Sequence, residues 1–149
     1  VTYALGRRDE VTQVTILNRS VGRAESLASD MEKITGKQII PAPLEQASEK
    51  SAFDASGLVI NTTSLGMHPK VDASPLIDTD NIRPDLVLYD TVFNPLETEL
   101  MRSFKAKGAP AFGGLDMLVF QGARSFEIWT GTEPPTDVMK QAVIGRFSG

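Results

Sequence analysis

Past a short apolar run, Thr15-Ile16-Leu17, the chain sets an amide, a guanidinium and a hydroxyl in succession, Asn18-Arg19-Ser20, with a second guanidinium at Arg23. This set suits a phosphate ester. Asn18 can hydrogen-bond a sugar or phosphate oxygen, Ser20 can donate to a phosphate, and arginine can both pair with it and stack on a planar ring. A helix beginning near Val21 would add free backbone N–H groups and a favourable field for the same anion. A plainer reading of the triplet is a strand-to-helix turn with Ser20 as N-cap and a solvated arginine. Two further polar clusters also follow apolar runs: Asn61-Thr62-Thr63-Ser64 after Leu58-Val59-Ile60, and Asp90-Thr91 after Leu86-Val87-Leu88-Tyr89.

The elements that must position these groups are legible in the spacing of apolar residues. Residues 13–17 are β-branched and continuous rather than alternating, the pattern of a strand covered on both faces. Ala24, Leu27, Ala28, Met31 and Ile34 recur at helical intervals until Gly36, which has the place of a helix-ending glycine. A second strand is expected at 38–40, with a loop at Pro41 and Pro43, then a helix over 44–52 and a third strand at 58–60. A long Pro-containing stretch leads to a fourth strand at 86–89, and such loops are often functional. Leu96, Leu100, Met101 and Phe104 mark a helix ending at Gly108, and residues 110–112 a brief final strand. The apolar run 115–129 predicts a helix covered on more than one side, with Asp116 as its cap. A last helix carries Val138, Ala142, Val143 and Phe147, and the opening VTYALGRR reads as the end of a helix.

Strands alternating with helices imply α/β architecture, a doubly wound parallel sheet with right-handed crossovers, in which ligands lie at the carboxyl ends of strands. All three polar clusters are expected at that end, around one crevice. In dinucleotide-binding sheets, an acidic residue just past the second strand holds the ribose 2′-hydroxyl of NAD. No acid follows this strand, and Asn18, Arg19, Ser20 and Arg23 suit the 2′-phosphate of NADP instead.

Composition narrows the alternatives. The 149 residues are one domain's worth, 41% hydrophobic and 23% charged, with no apolar run long enough for a membrane span. Fifteen basic against nineteen acidic residues give a net charge of −4, which argues against nucleic acid as a partner. No cysteine and a single histidine, His68, leave no expected metal site. A cytoplasmic protein without signal peptide or membrane association fits this composition.

Four stretches in order, NRSVGRAESLA, NTTSLGM, LYDTVFNPLETELM and GGLDMLVFQGARSFEIWTG, together resemble the shikimate dehydrogenase family. The resemblance runs from about Val14 to Gly131. It implies a Rossmann-like NADP-binding domain lacking its first strand and Gly-rich pyrophosphate loop, with the family's N-terminal substrate-binding domain and catalytic Lys-Asp pair outside these residues. No catalytic residue is therefore expected here, and the fragment alone is expected to be inactive. By the same resemblance Asn18, Arg19, Ser20 and Arg23 hold the adenosine 2′-phosphate. Asn61, Thr62, Thr63 and Ser64 run under the cofactor, while Thr91 and Gly114 meet its nicotinamide half. Phe93, where many members have tyrosine, and Gln121 would touch shikimate or 3-dehydroshikimate. Phe93 cannot donate a hydrogen bond, which leaves room for a looser substrate preference. The alternatives are a quinate/shikimate dehydrogenase with relaxed cofactor use and a catalytically silent dinucleotide-binding module.

Overall fold

The computed structural model describes residues 1–147, which form two compact units, Val1–Ala55 and the chain from Ser56 onward. In the first unit, helix α1 (Thr2–Gly6) precedes strand β1 (Gln13–Asn18), helix α2 (Val21–Thr35), strand β2 (Gln38–Pro43) and helix α3 (Gln46–Asp54). β1 and β2 are parallel, with Val14 opposite Ile39 and Asn18 opposite Pro43. Helix α2 buries Ala24 and Ala28, one turn apart, a small-residue face that lets helix and sheet approach closely. Gly36 ends it in the left-handed conformation (φ 67°), where a Cβ would be strained, and its N–H closes on the Glu32 carbonyl at 2.9 Å. α1 packs so tightly on α2 that a Cβ at Gly6 would lie 2.7 Å from Thr35 Cγ2.

β2 continues through both prolines, where the sequence suggested a loop. Among the described residues it pairs with β1 only, and an edge strand can carry residues without an N–H on its unpaired side.

The second unit is built on three parallel strands, β3 (Leu58–Asn61), β4 (Val87–Asp90) and β5 (Ala111–Phe112), with β4 in the middle. The central position explains why Leu86 and Leu88 are fully buried. A long connection leads from β3 to β4 through a 3₁₀ turn, Thr79–Asn81, and Arg83 fastens it by donating to the Ser56 carbonyl at 2.9 Å. Helix α4 (Glu99–Ala106) starts at Thr98, whose hydroxyl accepts the Met101 N–H at 3.2 Å, and buries Leu100, Met101 and Phe104. Burying the Phe104 ring contributes about 2–3 kcal/mol by area. Helices α5 (Leu115–Thr130) and α6 (Thr136–Phe147) pack on each other, with Met139 3.2 Å from the place of a Cβ on Gly122. Lys140 and Asp116 join them at 2.5 Å.

The expected single sheet is thus two sheets, β1–β2 and β3–β4–β5, and no described strand occupies the second edge of β1 or of β3. The expected cover for α5 fails among the described residues: Phe120, Ile128 and Trp129 are 62%, 66% and 82% exposed. Val119 and Ala123 are its buried residues, so one face meets the unit while the rest of its apolar surface is open.

Candidate functional site

In the first unit, Asn18 ends β1 and its Oδ1 accepts the Ser20 N–H at 3.3 Å. Ser20 is the N-cap residue of α2, but only through its carbonyl, which accepts from Arg23 and Ala24; its hydroxyl caps nothing. The hydroxyl is therefore free to bind something else. Arg19, Ser20 and Arg23 are exposed, and among the described residues no carboxylate pairs with either arginine. Two unneutralised cations at the positive end of a helix repel its field. An anion resting on the N–H groups of the first turn between them reverses that penalty, so this corner fits a phosphate.

In the second unit the parallel register sets Asn61 opposite Asp90, and the two side chains join at 3.0 Å. Asn61 Oδ1 accepts both the N–H and the hydroxyl of Thr63, at 2.9 and 2.8 Å. The Thr63 hydroxyl in turn accepts the Leu65 N–H at 3.2 Å. These bonds form a closed turn that leaves the exposed side chains of Thr62 and Ser64 without partners among the described residues. Thr91 lies against the same turn, with its N–H and hydroxyl reaching the Asn61 carbonyl at 3.0 and 2.9 Å. Gly114 is buried, donates to the Val92 carbonyl at 3.0 Å, and would place a Cβ 2.2 Å from the Thr91 carbonyl oxygen. Thus Asn61, Thr91 and Gly114 meet at one end of the three-stranded sheet. Phe93, just after Thr91 in the chain, packs edge-to-face on Phe147, with centroids 5.9 Å apart.

Gln121 is exposed on α5, with no side-chain partner among the described residues and its carbonyl accepting from Ser125. Asp116 does not cap α5; the N-cap is Gly114, and Asp116 is engaged by Lys140 because its position faces α6. His68 is exposed, and the described residues contain no cluster suited to a metal. The first-unit residues Asn18, Arg19, Ser20 and Arg23 form one group, and the second-unit residues another.

Sequence reasoning set Asp90 in a strand-end cluster without giving it a role, and passed over Thr98. Both are fully buried. A carboxylate closing an apolar strand was the available signal for the first, and a Thr ahead of a helical stripe for the second.

Tyr89, in β4, has its pKa raised above the ordinary 10.0 by partial burial and then by the negative charge of Asp116. Because the folded value is raised, the stability tied to neutral Tyr89 is full below pH 10 and is lost as pH rises through the folded value. We expect an alkaline absorbance titration to contain a tyrosine component above pH 10 that vanishes in Tyr89→Phe. A component unchanged by that substitution would contradict the assignment.

The parallel strands, crossover helices and strand-end polar turns are those of a Rossmann-like α/β domain. The particular resemblance is to the C-terminal domain of shikimate dehydrogenases. Residues 114–144 match the family model described as Shikimate 5′-dehydrogenase C-terminal domain. The shikimate dehydrogenase (NADP(+)) of Methanosarcina barkeri is 42% identical over 138 residues, 89% of this chain and 46% of that protein. That of Methanococcus aeolicus is 43% identical over 131 residues, 88% of this chain and 46% of that protein. A crystal structure of shikimate dehydrogenase in complex with NADP+ superposes with a TM-score of 0.87 at 34% identity, covering 100% of this chain and 50% of that one. Quinate dehydrogenase from Corynebacterium glutamicum in complex with NAD gives 0.85 at 26% identity, covering 97% of this chain and 50% of that one. The chain spans about half the length of the relatives it matches.

Proposed function

We propose that these residues are the cofactor-binding part of an NADP-dependent shikimate dehydrogenase of aromatic amino-acid biosynthesis, acting in the cytoplasm. The reading is carried by one observation: two unpaired arginines and an idle serine hydroxyl surround the N-terminus of α2, with no acid after β1. When bound, NADPH supplies the hydride that reduces the ketone of 3-dehydroshikimate. The chain's own residues bind and orient. Arg19 and Arg23 neutralise the 2′-phosphate, Ser20 donates to it, and Asn18 shapes the turn. The turn at 61–64 and the backbone at Thr91 form the floor for the nicotinamide half, and Gly114 lets α5 come close to them. Phe93 and Gln121 face the substrate, and the groups that move the proton belong to a substrate-binding part outside these residues.

The experiment is a titration of the chain with 2′,5′-ADP and with 5′-AMP, followed by amide NMR shifts. We expect 2′,5′-ADP to bind at least about tenfold more tightly, one charge-assisted contact's worth, with shifts centred on 18–23. Equal affinities would remove the NADP assignment and favour the reading with relaxed cofactor use. Phe93, whose ring is held by Phe147 and has no hydroxyl to offer a substrate, supports a looser substrate preference in either case. A chain blind to both nucleotides would leave neither reading standing. Intact NADPH should bind the chain only feebly, with a dissociation constant on the order of millimolar, for want of a pyrophosphate cradle. Micromolar binding in calorimetry would contradict this.

A further inference from the structure

We propose that Asp90 is a positioning residue that fixes the nicotinamide end of the site from inside the protein. The inference rests on the cofactor reading above. Asp90 is 0% exposed, and each contact it makes is to a donor from a different segment. Its Oδ1 accepts Asn61 Nδ2 from the end of β3 and the Val92 N–H from the turn after β4, both at 3.0 Å. Its Oδ2 accepts the Thr98 hydroxyl at 2.7 Å, and that hydroxyl also caps α4. One side chain therefore sets the spacing of the 61–64 turn, the 91–93 backbone and the start of α4.

The geometry requires an acceptor on both arms. Asparagine at this position could present its oxygen to Asn61 and Val92, but its NH₂ would then face Thr98, whose proton would have no acceptor. A buried donor left this way is costly, and the structure yields where it is softest. The bond lost is the one to Thr98, and with it goes the second anchor of this side chain, so its oxygen no longer fixes the 91–93 backbone, which holds Gly114 through the Val92 carbonyl and leans on the Asn61 carbonyl through Thr91. Asn61, expected from sequence to touch the cofactor, has both ends of its amide engaged inside the protein, so it acts through the turn it shapes.

The test uses the whole chain, with two probes that report on different units. Nicotinamide mononucleotide should shift the amides of 61–64, 91–93 and 114, and 2′,5′-ADP those of 18–23. In Asp90→Asn we expect the nicotinamide mononucleotide affinity to fall at least about fivefold, the worth of one net hydrogen bond, with 2′,5′-ADP binding unchanged. Thr98→Val, which removes the Oδ2 donor and leaves Asp90 in place, should reproduce the loss and serves where Asp90→Asn does not fold. Thr98→Ser should restore binding, which a general loss of stability would not predict. Folded variants that bind nicotinamide mononucleotide like the wild type would overturn the proposal and leave the cofactor reading intact. A wild-type chain with no response to nicotinamide mononucleotide at those amides would overturn both.

Discussion

Gly114→Ala is expected to lower the stability of the chain by about 3 kcal/mol, the upper part of the range for overpacking, and its melting temperature by roughly 10 °C. Gly114 has a φ of −77°, which alanine adopts freely, so backbone conformation is not the obstacle. Space is. The added Cβ would lie 2.2 Å from the Thr91 carbonyl oxygen, 2.6 Å from its carbon and 3.0 Å from the Val92 oxygen. All three atoms are backbone, so no side chain can swing aside; the N-terminus of α5 must retreat from the end of β4. Gly145→Ala is the matched control. It sits in α6 with open space around its Cβ and should stabilise the chain by about 0.5–1 kcal/mol through helix propensity. Thermal melts of the two variants should move in opposite directions, and a Gly114→Ala chain as stable as wild type would show that the close approach is not kept in solution.

Arg19→Asp should weaken 2′,5′-ADP by about 1–3 kcal/mol, roughly 5- to 150-fold, and leave 5′-AMP nearly untouched. The asymmetry follows from charge. Arg19 has no carboxylate partner among the described residues, so its loss breaks nothing in the free protein. The new carboxylate would instead occupy the place of the acid that NAD-binding sheets use for a ribose hydroxyl. A parallel loss for both nucleotides, measured by the same amide shifts, would move the arginine from the phosphate to the adenine.

Much of the architecture could be read from residue order, because its signals are local. The β-branched run at 13–17 and the stripe from Ala24 to Ile34 each reported an element whose bounds the structure moves by a residue or two. What escaped depends on partners distant in the chain. Pro41 and Pro43 read as a loop because nothing local says that β2 lies at a sheet edge, where a missing N–H costs little. The run 115–129 read as a well-covered helix because apolarity measures what a helix could bury, not what is there to bury it. Asp90 was legible as part of a strand-end cluster, but its role as a brace was not, for the same reason. Its side-chain partners lie 29 residues before it and 8 after it, with the Val92 N–H close by, and only the β3–β4 register brings Asn61 to its side. The phosphate corner was the most legible part of the site, since Asn18, Arg19, Ser20 and Arg23 are held by one strand end and one helix start.

Trp129 is the chain's sole tryptophan, and it stands at the open end of α5. Its fluorescence therefore comes from a solvated indole, and any body that settles over that helix will shift the emission toward the blue without a label being attached. The protein thus carries its own optical gauge of whether that helix is bare or occupied.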